Sequence, residues 1–408
     1  MALVVQKFGG TSVASIEHIE RVAKRIAGYR DRGDEVVVVV SAMGKETDRL
    51  DELAKSVGDS DADFRREVDV LLSTGEQVTA AVLSMVLTKM GYPAKSFTGG
   101  QVKILTDASH TKARILDIDT DNLRRELSQG TVPVVAGFQG VDSDQNITTL
   151  GRGGSDTTAV ALAVVLEAKE CQIYTDVEGV FTTDPRVVDV AQPLATVTFE
   201  EMLELASQGS RVLHTRAVEF ASKYKMPIRV LSSFSDAAGT LITNEESHNM
   251  EQPLISGIAF MKDEAQLMML GVKDIPGIAS RILGPISDAN IEVDMIVQNV
   301  AADKSTDFTF TVRREDYERA TAILESVAQE IGAREVTGDN KIAKLSIVGV
   351  GMKSHAGVAT KMFKVLSEES INIQMISTSE IKISVVIEEK YLELAVRALH
   401  TAFGLDAS

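Results

Sequence analysis

The chain has 408 residues, of which 44% are hydrophobic, 25% charged and 5% aromatic, enough for two or three domains that each bury a core. Its 42 basic against 59 acidic residues leave a net charge of −17 with no dense basic run, which argues against nucleic acid or an anionic membrane as the main partner. The single cysteine, Cys171, excludes an internal disulfide and a cysteine-cluster metal site, and the absence of a signal-peptide pattern or a ~20-residue apolar span predicts a soluble, cytoplasmic protein.

In chain order, Ala2–Gln6, Glu35–Ser41, Val132–Ala136, Cys171–Thr175 and Ile228–Leu231 read as continuous apolar strands buried on both faces. Amphipathic stretches separate them. Ile16, Ile19, Val22, Ala23 and Ile26 recur at helical spacing before Gly33, and Gly75–Met90, Thr120–Leu127, Ser155–Ala168 and Ser210–Lys225 follow. Strands alternating with helices predict an α/β fold, a doubly wound and mainly parallel sheet over residues 1–245, with two separate α+β lobes as the alternative. The polar stretch Asn244–Pro253 reads as a linker, placed at 246–253.

Beyond it, Gly271–Ile296 and Gly351–Ile376 align without a gap, an internal duplication. The first copy (254–340) reads Gln266–Val272, Gly277–Ala289, Val293–Asn299, Asp307–Val312 and Glu315–Ile331 as strand, helix, strand, strand, helix, and Arg334–Thr337 can close it. The second copy (341–408) repeats the order with Lys344–Val350, Val358–Glu369, Ile373–Thr378, Lys382–Ile387 and Leu392–Phe403, but runs out before a closing strand. Each is a ferredoxin-like βαββαβ unit, and the spare strand Leu254–Phe260 is expected to complete the second, so that the units interleave.

Two glycine-rich loops carry the chemistry. Lys7-Phe8-Gly9-Gly10-Thr11-Ser12 joins the first strand to the first helix, where glycines admit an anion to the backbone and Lys7 adds a full charge. Gly151-Arg152-Gly153-Gly154-Ser155-Asp156 opens a later helix, and Arg152 can grip a carboxylate with two parallel bonds. Ser155 or Asp156 also reads as a plain N-cap. Asp176 ends a strand where α/β sheets place ligand groups, with Asp184 and Arg186 shortly after. Ser41, Thr47 and Gly75-Glu76-Gln77 are polar positions at element ends, and the six histidines show no metal-ligand spacing.

Taken together, Lys7–Ser12, Gly75-Glu76-Gln77, Gly151–Asp156, Tyr174-Thr175-Asp176 and Thr183-Asp184-Pro185-Arg186 make the chain resemble the monofunctional bacterial aspartate kinases of the amino-acid kinase family, and the duplicated C-terminal units resemble their tandem ACT domains. The resemblance implies ATP-dependent phosphorylation of the β-carboxylate of L-aspartate, with Mg²⁺ held mainly through the ATP phosphates rather than by protein ligands. It implies Lys7 and Asp176 as catalytic, and Lys7, Phe8, Gly9, Gly10, Thr175, Asp176, Phe181, Asp184, Arg186 and Arg211 on the nucleotide. Ser41, Thr47, Glu76, Arg152, Gly153, Gly154 and Ser155 would hold aspartate. Lysine, threonine or both are the implied inhibitors. Their sites would be Asp274, Ala279, Asn290, Ile291, Glu292, Val293, Asp294 and Gln298 in the first unit. In the second they would be His355, Val358, Ala359, Asn372, Ile373, Gln374 and Ser379. A homodimer or α2β2 assembly through the ACT domains is expected. The alternatives are another carboxylate-phosphorylating amino-acid kinase and a catalytically silent amino-acid sensor on the same scaffold.

Overall fold

The computed structural model describes residues 2–58, 62–209, 212–244, 254–300, 305–350, 352 and 357–406. The chain divides into two compact units. The N-terminal unit runs to Phe181 and takes in Pro193–Ser207 and 212–244, whereas Thr182–Gln192 and Gln208 belong with the C-terminal unit.

The N-terminal unit opens with β1 (Leu3–Phe8), α1 (Ile16–Asp31), β2 (Glu35–Val40), α2 (Glu46–Val57), α3 (Ala62–Lys89), β3 (Ala94–Phe97) and α4 (Gly99–Val102). It continues with β4 (Ile104–Thr106), β5 (Ile115–Ile118), α5 (Asp121–Ser128), β6 (Val132–Ala136), β7 (Gln139–Val141), β8 (Ile147–Thr149) and α6 (Gly154–Val165). It closes with β9 (Glu170–Thr175), β10 (Thr196–Thr198), α7 (Phe199–Ser207), α8 (Thr215–Tyr224), β11 (Ile228–Ser232) and β12 (Thr240–Thr243).

Eight strands form the main sheet in the order β10-β12-β11-β9-β1-β2-β6-β3, parallel except for the β11–β12 pair. Side chains alternate across a strand, so the run Val36–Val40 must be covered on both faces. Val36, Val38 and Val40 join Ile19, Val22, Ala23 and Ile26 of α1 with Ala80, Leu83 and Leu87 of α3, and Val37 and Val39 are equally buried on the opposite face. This is the doubly wound arrangement.

Three expectations change. The helix expected from Gly75 begins at Ala62, because Gly75 lies inside α3 against Ala42, where a Cβ would meet the Ala42 Cβ at 2.8 Å. The helix expected from Ser210 begins at Thr215. A second sheet, β5-β4-β7-β8, occupies a stretch of chain that the hydrophobic pattern left without strands.

The C-terminal unit contains β13 (Leu254–Lys273), α9 (Ile278–Asp288), β14 (Val293–Val300), β15 (Ser305–Arg313), α10 (Tyr317–Ile331) and β16 (Glu335–Val350). It ends with α11 (Val358–Glu368), β17 (Met375–Thr378), β18 (Lys382–Glu388) and α12 (Leu392–Ala402). Its sheet runs β14-β15-β13-β16-β18-β17, antiparallel throughout.

Here the structure joins what the sequence reading separates. Leu254–Phe260 and Gln266–Val272 are one strand, β13, and Arg334–Thr337 merges with Lys344–Val350 into β16. Leu254–Met261 pairs with Lys344–Val350, and Gln266–Leu270 with Glu335–Asp339, with bulges between Met261 and Gln266. Each βαββαβ unit therefore takes one strand from the ribbon that starts the other.

Candidate active site at the carboxyl ends of the parallel strands

The strand ends line up along one edge of the main sheet. Phe8 stands opposite Val40 and Tyr174, Val40 opposite Ala136, and Thr175 opposite Ser232. From β1 the chain first proceeds to β2 on one side and only later adds β9 on the other. Such a reversal opens a crevice outside the carboxyl ends of the strands. The Phe8 and Tyr174 rings stack within the buried core, with centroids 4.7 Å apart.

The loop after β1 is tied across this crevice. Gly9 N–H donates to Tyr174 O at 3.2 Å, Ser12 Oγ donates to the same oxygen at 3.4 Å, and Ser233 Oγ donates to Ser12 Oγ at 2.6 Å. Gly10 is required by closeness, since a Cβ there would stand 2.9 Å from Gly44 O and 3.1 Å from Ala42 O. The loop does not open α1 directly. A 3₁₀ turn, Gly10–Val13, intervenes, and Ser15 caps α1 by accepting from His18 N–H.

The second loop does open its helix. Gly153, with φ of +69°, is the N-cap of α6, and no side chain caps that end, so neither Ser155 nor Asp156 acts as the cap. Asp156 lies in the first turn and meets Lys7 Nζ at 2.5 Å, a charge contact made off the angle of a hydrogen bond. The Lys7 and Asp156 side chains are only 12% and 11% exposed. Lys7 also lies beside Gly9, where a Cβ would be 3.5 Å from Nζ. One ion pair thus joins the two glycine loops. Gly153 presses on His214, Ser155 packs against Gly137, and Arg152 is exposed.

Glu76, on α3, is buried. Its Oε1 accepts from Ala42 N–H at 3.1 Å, while Oε2 has no partner among the described residues. Burial pushes its pKa up to about 7, against a smaller lowering by backbone hydrogen bonds. Ser41 and Thr47 are half-buried on the same side, after β2 and in α2.

Other expected residues are placed differently. Asp184 and Arg186 pair with each other at 2.7 Å within the C-terminal unit, and this bond holds the Asp184 carboxyl below its ordinary range. Their segment is anchored there by Ile258 N–H donating to Thr182 O at 2.7 Å and by Thr182 Oγ1 against His400 Nε2 at 2.9 Å. Asp176 is exposed and accepts from Thr175 Oγ1, and Phe181 is half-buried and bridges Pro193. Arg211 and His355 lie outside the described residues.

Among the expected effector positions, Asp274, Asn290, Glu292, Asp294, Gln298, Asn372, Gln374 and Ser379 are exposed, and Ala279, Val293, Ala359 and Ile373 are half-buried. Ile291 and Val358 are core residues whose side chains face inward, which leaves only their backbone for a ligand. Asp294 is paired with Lys344. The sequence reading missed the Lys7 partner Asp156, the Ser12–Ser233 tie and the contact of His214 with Gly153. No pattern in a single sequence joins residues so far apart.

Residues 2–232 match the profile of the amino acid kinase family, and residues 267–329 and 345–403 each match an ACT domain. The chain belongs to the amino acid kinase family. It is 68% identical to the aspartate kinase of Pseudomonas fluorescens over 100% of this chain and 98% of that protein. Among solved structures, E. coli aspartokinase III in complex with aspartate and ADP (R-state) is 25% identical with a TM-score of 0.79, covering 98% of this chain and 99% of that one. The same E. coli enzyme in complex with lysine and aspartate (T-state) is 26% identical with a TM-score of 0.76, at the same coverage.

Proposed function

We propose that this protein transfers the terminal phosphoryl group of ATP to the β-carboxylate of L-aspartate, giving 4-phospho-L-aspartate and ADP. The reaction opens the route to lysine, threonine, methionine and diaminopimelate, and lysine, threonine or both inhibit it through the ACT domains. The observation that carries this reading is the Lys7–Asp156 contact, which brings both anion-binding loops to one crevice.

The acceptor carboxylate is ionised near neutral pH, so no general base is needed. What must be overcome is repulsion between an anionic nucleophile and an anionic triphosphate, which calls for positive charge and in-line placement. Lys7 beside the backbone of Gly9 and Gly10 supplies charge on the phosphate side, where Phe8, Thr175, Asp176 and Phe181 line the nucleotide. Arg152, above the α6 N-terminus with Gly153, Gly154 and Ser155, takes a substrate carboxylate. The Oε2 of buried Glu76, without a partner among the described residues, calls for a cation, and the α-ammonium of an amino acid supplies one. Ser41 and Thr47 complete that side.

A Mg²⁺ ion carried mainly by the ATP phosphate oxygens would neutralise developing charge. The protein works in the cytoplasm as a homodimer or an α2β2 assembly.

The test is ADP release with aspartate, N-acetylglutamate and glutamate in parallel, and with lysine and threonine added singly and together. Aspartate-dependent release is expected. Release with another acceptor alone would reassign the substrate, and none with any of the three would make the chain a silent sensor.

A further inference from the structure

We propose that Asp69 is a positioning residue for the acceptor side of this site: from inside α3 it holds the loop that carries Arg152, and so governs affinity for the amino-acid substrate rather than for the nucleotide. The proposal rests on the reading that Arg152 grips that substrate.

Asp69 is completely buried, and a carboxylate is costly to bury unless its oxygens are fully engaged. Its partners are hydrogen-bond donors. Thr149 Oγ1 donates to Oδ1 at 2.5 Å, Thr111 N–H reaches both oxygens at 3.0 and 3.1 Å, and His110 Nδ1 lies 2.7 Å from Oδ2.

These partners form the underside of the Arg152 loop. Thr149 ends β8 and is followed by Leu150, Gly151 and Arg152. Thr111, itself at φ of +69°, brings its carbonyl oxygen to 3.1 Å from where a Gly151 Cβ would be. Ala113 N–H donates to Thr149 O at 2.9 Å, zipping the two segments together. A second clamp closes the assembly, as Arg216 donates to Leu150 O at 2.7 Å and to Ala113 O at 2.8 Å.

Asp69 and Glu76 are seven residues apart on one helix, which places them on nearly the same face about 10 Å apart along the axis. Glu76 fixes the backbone beside Ser41 through Ala42 N–H. Between them, Gln139 Nε2 donates to Ser73 O at 2.8 Å. One rigid helix therefore sets the separation of the two loops that face the amino acid. Apart from the Lys7–Asp156 pair, the phosphate-side loop is tied by a different set, Tyr174, Ser12 and Ser233. A disturbance at Asp69 should separate the two substrates kinetically.

The experiment compares Asp69→Ala, Thr149→Val and Thr149→Ser with the wild-type full chain in the ADP-release assay, reading the KM for aspartate, the KM for ATP and kcat. Asp69→Ala leaves three donors unanswered and is expected to raise the aspartate KM about tenfold or more, with the ATP KM within about twofold. Thr149→Val, which keeps the side-chain shape, covers the case in which Asp69→Ala does not fold. It should shift the aspartate KM about threefold to tenfold in the same sense, and Thr149→Ser should restore it. An unchanged aspartate KM, a parallel rise in both KM values, or a serine variant no better than valine would overturn the proposal. A wild-type chain without aspartate-dependent ADP release would overturn the function reading, and the proposal with it.

Discussion

Removing the Lys7 ammonium should cost more than the charge itself, because of what it leaves behind. The loss of one preorganised electrostatic contact lowers turnover about 10²-fold to 10³-fold. In Lys7→Ala the Asp156 carboxylate, 11% exposed, would in addition face the triphosphate without the cation it meets at 2.5 Å. At a separation of about 5 Å and an effective dielectric of about 20, one such repulsion is worth roughly 3 kcal/mol, or about 10²-fold. Lys7→Ala should therefore fall below the simple loss, with little change in aspartate KM. Asp156→Asn in the Lys7→Ala background should recover about tenfold to 10²-fold. Asp156→Asn alone, which leaves the ammonium in place but less well oriented, should lose about tenfold. Turnover is measured by coupling ADP release to NADH oxidation at saturating aspartate. Near-normal turnover in Lys7→Ala removes Lys7 from the mechanism. A double variant no faster than Lys7→Ala means that Asp156 does not face the phosphates.

Burial keeps Glu76 protonated to about pH 7 in the folded chain, against an ordinary value of 4.5. Between those pH values the folded state holds a proton that the unfolded chain has released, so stability falls as pH rises through the window, by about 3 kcal/mol in all. Glu264, pushed up to about 7 by burial in the C-terminal unit, acts in the same direction. The readout is therefore the difference between wild type and Glu76→Gln in urea midpoint at pH 5 and pH 8, and equal changes in both proteins would refute the assignment. The charged form of Glu76 is the one that holds an ammonium, so the aspartate KM should also rise below pH 7 in wild type and stay flat in Glu76→Gln. Gly153→Ala combines a left-handed φ of +69° with a Cβ 2.2 Å from the His214 Cβ, so the loop must shift. It should lose about 2–4 kcal/mol of stability and about tenfold in aspartate KM, and unchanged thermal melting and kinetics would show that the loop tolerates a side chain. Deleting Leu254–Phe260 strips one of the two strand partners from Leu345–Val350, so amide-exchange protection should fall more in the second ACT unit than in the first. Equal protection in both units would count against the interleaving.

Much of this architecture is legible in the sequence where a signal lies within a few residues. Val36–Val40 reads as a doubly covered strand because every side chain in it is apolar. The glycine loops declare themselves by composition, and the duplication by direct alignment. The failures also have causes. The start of α3 was hidden because its buried stripe carries Asp69, Ser73 and Glu76, polar groups that break the apolar period while satisfying the small sheet and the strand-end loops. The short strands β4, β5, β7 and β8, of three or four residues each, are too brief to show an alternation.

The sequence by itself determined the alternation of strands and helices, the positions of the flexible turns and the repeated C-terminal unit, since helix and strand periods and glycine freedom are local properties of the chain. Tertiary structure alone decided that Lys7 meets Asp156, that Asp69 supports the Arg152 loop and that two apparent strands run on as one. Those choices depend on which distant groups the packed sheet brings within a few ångströms, and buried charge is tolerated only where such a partner arrives.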